Sequence, residues 1–272
     1  MVSVITSAAA ISAVHSLREI DTRFVSASKR IESGYRVADA SDDASVFAVA
    51  QGVRAQVKSA AAVSSSLTQG QNTVQVALAG LKQIYDLSND IRANIILLAD
   101  GATAESARTI IQNNTRTLLD QIDSARLTAN YNGSSQLTAD AQARSFISDV
   151  SGTSITVGIF DAQTEIDALR TAVNNITDSA SALTALDAAR AFEQKVNTTL
   201  ADLAATGKAL AASNSFVDSL TDALKKGMGV LVDTDVAEAM AVRESAIVQR
   251  GLSIASLDFT NGANRRIVSI LR

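Results

Sequence analysis

No proline, no cysteine and no tryptophan occur anywhere in this 272-residue chain. At ordinary usage of about 5%, it would carry roughly a dozen prolines. Proline breaks helix interiors and is kept out of central strands, so its complete absence predicts long uninterrupted helices. Without cysteine, disulfides and thiolate metal sites are excluded, and the compartment stays open on this count. Aromatics make up only 4% although hydrophobic residues reach 47%, so alanine and valine carry much of the apolar content. Small side chains bury little area each and suit thin helix–helix contacts better than a thick core. Charge of neither sign dominates: 24 basic against 28 acidic residues, net −4. That balance leaves no electrostatic footprint for nucleic acid. No apolar run approaches the roughly 20 residues of a membrane span. The uncharged N-terminus lacks the Lys/Arg region of a secretory signal and the lysines of an interfacial anchor.

Helical periodicity is what the chain has in abundance. Val53, Val57, Ala60, Ser64, Leu67, Gln71, Val74, Leu78, Leu81 and Tyr85 alternate spacings of four and three. That is a heptad seam, and it predicts a helix over about 43–99, about 85 Å long, ended by Asp100-Gly101. A second helix over about 104–129 carries Ala107, Ile111, Leu118, Ile122, Ala125 and Ala129, and Asn130-Tyr131-Asn132-Gly133 stops it. Residues 134–164 change character. Ile155-Thr156-Val157-Gly158-Ile159 alternates as a strand after a turn at 151–154, with a partner strand near 146–150, which makes one hairpin. The helical period returns from Glu165. A loop is predicted at Gly227-Met228-Gly229, and Asp233, Thr234 and Asp235 suit a helix start. The last helix then carries Val236, Met240, Ile247 and Ile254 as its apolar positions.

The predicted fold is mainly α: an elongated antiparallel helical, coiled-coil rod formed by N- and C-terminal arms, with one small β-hairpin near 145–160. Two domains follow, 1–43 with 230–272, and 44–229. Both chain ends are apolar, alanine-rich and patterned for helix. They either pair within one monomer as an antiparallel coiled coil or form the inner layer of a polymer, and physical pattern alone does not choose between the two.

Candidate chemistry is thin. Ser26-Ala27-Ser28-Lys29 fits Ser-x-x-Lys, but no Ser-Asp-Asn or Lys-Thr-Gly element accompanies it. His15 is the sole histidine, and one ligand makes no metal site. Asp42-Asp43 suits a helix N-terminus through the dipole alone. Gly227-Met228-Gly229 lacks the strand and third glycine of a dinucleotide fingerprint. The triplet Asn132-Gly133-Ser134 has the form of a glycosylation acceptor but is a common one. No catalytic, cofactor or metal residue is assigned.

The densest local signal is Arg30-Ile31-Glu32-Ser33-Gly34-Tyr35-Arg36-Val37-Ala38-Asp39-Ala40-Ser41-Asp42-Asp43-Ala44. It reads as a helix end at Ser33-Gly34, an extended connector, and an acidic start to the long helix. It also resembles the bacterial flagellin signature, in which Arg-(Ile/Leu)-x-Ser-Gly-x-Arg-(Ile/Val) leads into Ala-x-Asp-Asp-Ala. Further matches follow in order: Gly70, Gln75, Arg92, Tyr131-Asn132-Gly133, Asp233-x-Asp235 and the closing Ser269-Ile270-Leu271-Arg272. Together they cover about residues 1–133 and 230–272. The resemblance implies a non-enzymatic subunit, without cofactor, that is exported through the flagellum's own secretion channel. It would polymerise into the extracellular filament for swimming motility, with the export apparatus, an export chaperone, the filament cap and junction proteins as partners.

It further implies that the paired chain ends form the innermost layer, that the connector acts as a spoke, and that the long helices lie next outward. Ile5, Ile11, Val14, Leu17, Ile254, Leu257, Ile267, Ile270 and Leu271 are the expected inner-layer contacts. Arg30, Ser33, Gly34, Arg36, Asp42 and Asp43 are expected to set the spoke, through charge pairs that the sequence does not assign. Departures exist. Asn264 replaces a near-terminal proline, Ala246-Ile247-Val248-Gln249-Arg250 replaces a Gln-(Ile/Leu)-Leu-x-Gln run, and Asn94 stands where a leucine usually contributes to innate-immune recognition. The alternatives are a hook–filament junction protein, with similar helical ends, and a non-polymerising coiled-coil scaffold.

Overall fold

The computed structural model describes residues 8–138 and 140–270, and for 9, 260, 261 and 263–270 it describes the backbone alone. The elements are α1 (Ala8–Ser33), α2 (Ala44–Ala99), α3 (Glu105–Thr128), β1 (Asn130–Tyr131), β2 (Ser134–Ser135), β3 (Arg144–Ile147), β4 (Ser154–Val157), α4 (Gln163–Asn174), α5 (Ser179–Val232) and α6 (Val236–Ile270). The fold is mainly α, and the long helix expected over 43–99 is α2. The chain divides into two compact units, Met1–Val57 with Ala223–Arg272, and Lys58–Asp222.

In the unit Lys58–Asp222, α2 and α5 run antiparallel. Ser64 Oγ donates to Asn214 Oδ1 at 2.8 Å, and Arg92 meets Glu193 at 3.1 Å. Ala60, Leu67, Val74 and Leu81 of the predicted α2 seam are buried, and the seam continues through Ile84, Ile91 and Ile95. The short segments between α3 and α4 dock where α2 carries glycine. A Cβ at Gly70 would approach Phe146 to 3.0 Å, and one at Gly80 would approach Ala129 to 2.6 Å and Leu137 to 2.7 Å. Buried Arg126 of α3 donates from Nε to Leu137 O at 2.9 Å and from NH1 to Gln163 Oε1 at 2.9 Å. Arg170 of α4 meets Asp120 and Asp123 of α3 at 2.7 and 2.6 Å. Leu137 O, buried beyond the end of β2, finds in Arg126 the partner that a buried carbonyl needs.

Three local expectations are corrected. Among the described residues there are two hairpins, not one: β3 pairs with β4, with Phe146 opposite Ile155, and β1 pairs with β2 around Asn132-Gly133. The second closes on two consecutive positive φ angles, 51° and 73°, the backbone that a two-residue hairpin turn needs. The helical run after 165 is broken at 175–178. Asp178 and Ser181 cap α5 reciprocally there: Asp178 N donates to Ser181 Oγ at 3.0 Å, and Ser181 N donates to Asp178 Oδ1 at 2.8 Å. The expected loop at Gly227-Met228-Gly229 is helix, because α5 continues to buried Val232. Isolated glycines cost a helix only about 1 kcal/mol each, less than the pairing lost by stopping early.

In the other unit, α1 and α6 pack side by side, antiparallel, tied by Asp21–Arg250 at 3.2 Å and by a backbone bridge between Tyr35 and Asp233. The α1 seam is Ala13, Leu17, Ile20, Phe24, Ala27 and Ile31, again spaced four and three, with Ile20 and Ala27 buried. Its counterpart on α6 is Ala239, Ala246 and Ser253, seven apart. This corrects the reading of α6. Val236, Met240, Ile247 and Ile254, expected as the apolar positions of this helix, are 41–53% exposed, because small residues let α1 approach on a different face.

Candidate polymerisation surface and connector

The connector between α1 and α2 is built from its own side chains. Ser33 Oγ donates to Lys29 O at 2.8 Å and accepts from Tyr35 N at 3.2 Å, closing α1. Gly34 then turns the chain at φ +72°, a conformation that β-carbon-bearing residues disfavour. Its N–H donates to Arg30 O at 2.9 Å, and its carbonyl accepts from Thr234 N at 3.0 Å. Arg36 reaches the end of α5: its backbone N–H donates to Val232 O at 2.7 Å and its NH2 to Leu231 O at 2.5 Å. These satisfy carbonyls that a helix C-terminus leaves open. Val37 is buried beside them. Asp43 caps α2 by accepting from Ser45 N and Val46 N, both at 3.0 Å, and Asp235 caps α6 through Ala237 N at 2.9 Å and Glu238 N at 3.1 Å.

The charge pair that the sequence left unassigned belongs to Lys29. Its Nζ meets Asp39 Oδ2 at 2.7 Å and Asp42 Oδ1 at 3.0 Å, while Asp42 also accepts from Ala38 N at 3.0 Å. The Lys29 ammonium, then the Ser41 hydroxyl and amide, hold the Asp39 carboxyl well below the usual carboxylate range. Lys29, followed by the Ala38 amide, pulls Asp42 down as well. The two carboxylates in turn raise Lys29. Of the expected spoke residues, Ser33, Gly34, Arg36, Asp42 and Asp43 are brought together in this connector. Arg30 instead lines an open groove of about 420 Å³ between α1 and α6, with Arg23, Arg36 and Glu238. Lys29 and Asp39 were missed. A lysine followed ten and thirteen residues later by aspartates is no local signal, and only the turn at Gly34 brings the three together.

The expected inner-layer residues divide. Leu17 and Leu257 are half-buried and face into the α1–α6 seam. Ile11, Val14 and Ile254 are turned outward, Ile11 at 50% exposure. Ile5 and Leu271 lie outside the described residues, and Ile267 and Ile270 fall where α6 is described by backbone alone. Beyond the expected set, α6 also exposes Val248, Leu252 and Phe259, the last at 81%. Large apolar side chains thus stand open on more than one face of α6, and a single neighbouring helix covers only one face. Among the described residues no group of three or more His, Cys, Asp or Glu is placed to hold a metal ion, and no helix is long and apolar enough to cross a membrane.

The comparisons agree with one another. The family described as bacterial flagellin N-terminal helical region matches residues 4–142. A flagellin of Brucella melitensis is 29% identical, with the alignment spanning 100% of both chains. Flagellin FljK of Caulobacter vibrioides is 28% identical over 99% of this chain and 98% of its own. Among solved structures, a putative flagellar hook-associated protein of Vibrio parahaemolyticus superposes with TM-score 0.61 at 14% identity, over 70% of this chain and 99% of that one. The Bacillus cereus flagellin does so with TM-score 0.50 at 20% identity, over 55% and 86%. At these identities the structures speak for the fold alone.

Proposed function

This chain belongs to the bacterial flagellin family and is a structural subunit of the flagellar filament, and from that premise we propose which of its surfaces make the filament. The paired helices α1 and α6 form the inner layer, and the connector centred on Lys29, Asp39 and Asp42 is the spoke. Neither the junction-protein nor the scaffold alternative is favoured. The chain performs no catalysis. It is secreted through the flagellar export apparatus, escorted by an export chaperone, and it adds beneath a filament cap on top of junction proteins.

One observation carries the assembly reading. Helix α6 spends its small residues Ala239, Ala246 and Ser253 on its own α1, and leaves Val236, Met240, Ile247 and Ile254 open. A chain whose ends satisfied one another would turn the large side chains inward, since each is worth about 1.5–3 kcal/mol when fully buried. The outward faces of α1 and α6 differ from each other, so contact between copies is heterologous and generates an open helical array. The test is the double substitution Met240→Asp with Ile247→Asp. Both sites are exposed in the monomer, so helicity by circular dichroism should stay at the wild-type level while filaments disappear from negative-stain images. Normal filaments from that variant would overturn the assignment.

A further inference from the structure

The outward side of α6 carries an acid among its large apolar residues. Glu244 has Met240 four residues before it and Ile247 and Val248 three and four residues after it, all exposed. On a helix these are its surface neighbours, so the carboxylate sits within an apolar patch. The outward stripe of α1 has the mirror arrangement. Ile11, Val14 and Val25 are exposed there, and Arg18 lies between them, seven residues from Ile11 and from Val25. Among the described residues neither the Arg18 guanidinium nor the Glu244 carboxylate has an ion-pair or hydrogen-bond partner, and Arg18 is bonded only through its carbonyl, which accepts from Thr22 Oγ1 at 2.9 Å. Nor can they reach each other in one protomer. The register set by Asp21–Arg250 puts Arg18 about level with Ser253, nine residues and about 13 Å along α6 from Glu244.

We infer that Arg18 of one copy pairs with Glu244 of the next, as the charged centre of the contact between the outward α1 stripe and the outward α6 face. This rests on the filament reading above. A second copy is the occupant because the two patches complement each other in both respects: apolar surround against apolar surround, cation against anion. An unpaired carboxylate carried into an apolar contact is strongly unfavourable, so the contact must supply a cation. Arg23 and Arg30 line the groove beside Glu238, whereas Arg18 lies within an apolar stripe. Such a pair fixes register and rejects slipped arrangements more than it adds affinity. Apolar stripes alone would slide past one another.

Charge reversal tests this in the full chain. Arg18→Glu and Glu244→Arg should each raise the concentration needed for sedimentable polymer by about tenfold or more, because like charges then meet. Both monomers should keep wild-type helicity, since both sites are exposed. The double variant Arg18→Glu/Glu244→Arg should polymerise near the wild-type concentration, because every contact between identical copies regains an opposite pair. Because the chain has no cysteine, Arg18→Cys with Glu244→Cys offers an independent reading. A short bismaleimide should produce an open-ended ladder of linked chains in the polymer. Single variants that polymerise like wild type, a double variant no better than either single one, or an absent ladder would each overturn the pairing. A wild-type chain that never polymerises would instead overturn the filament reading itself.

Discussion

Two glycines of α2 sit in opposite surroundings. A Cβ on Gly52 would meet nothing within 4 Å, whereas one on Gly80 would strike Ala129 and Leu137 at 2.6 and 2.7 Å. Alanine exceeds glycine in helix propensity by about 0.8–1 kcal/mol. Gly52→Ala should therefore raise monomer stability by about that amount. Gly80→Ala should lower it, because overpacking costs about 1–3 kcal/mol and outweighs the propensity gain. Thermal unfolding of the unpolymerised chain checks both signs, and a stabilised Gly80→Ala would refute the close approach of the 129–137 segment to α2. Gln136 poses the converse case. It is buried, yet among the described residues neither its amide nitrogen nor its amide oxygen has a partner. Gln136→Met keeps the shape and removes the unpaired groups, so unfolding should shift upward by about 1 kcal/mol or more.

Among the elements, the connector responds to pH through three mutually paired groups. Asp39 and Asp42 have folded-state pKa values below their ordinary 3.8, so their contribution is complete above that value and is lost as pH falls below it. Lys29 is raised above its ordinary 10.5, so its contribution is complete below that and fades only as pH climbs through the raised value. The clasp is thus intact across the neutral range and opens first on the acid side. Limited proteolysis within 34–43 should accelerate below about pH 4 in the wild type, while Lys29→Met should be cut rapidly at neutral pH and lose most of that pH dependence.

The same connector shows how far a sequence can be read. Its boundaries were legible because Ser33-Gly34 and Asp42-Asp43 are local signals, each acting within four residues. Its charge pairing was not legible, because Lys29 acts across ten and thirteen residues on a path that only the folded turn defines. In α6 the apolar period was visible but not its facing. Three small residues in register, Ala239, Ala246 and Ser253, decide which side another helix takes, and alanine is too common here to mark a seam. The α4–α5 break turned on Asp178 and Ser181, a reciprocal cap hidden inside an unbroken apolar period.

For the molecule as a whole, the arithmetic of the open surfaces explains why a subunit can stay single and still form a long polymer. Four large side chains on one α6 face, each about half covered already, offer about 3–6 kcal/mol more on complete burial. Association costs about 4–15 kcal/mol in lost freedom, so one such contact alone does not hold a dimer. Several faces engaged at once do, and α6 has them: Val236, Met240, Ile247 and Ile254 on one side, Val248, Leu252 and Phe259 further round. Growth should accordingly be nucleated. Light scattering should show a lag without a populated dimer, and sheared filament fragments should abolish the lag. Residues 261–272 carry the expected inner-layer positions Ile267, Ile270 and Leu271, and the buried Ala239 and Ala246 lie outside them. Deleting residues 261–272 should therefore leave a soluble helical monomer that no longer polymerises, even when seeded. Filaments of normal appearance from that truncated chain, seen by negative stain, would mean that the far end of α6 contributes no contact between copies.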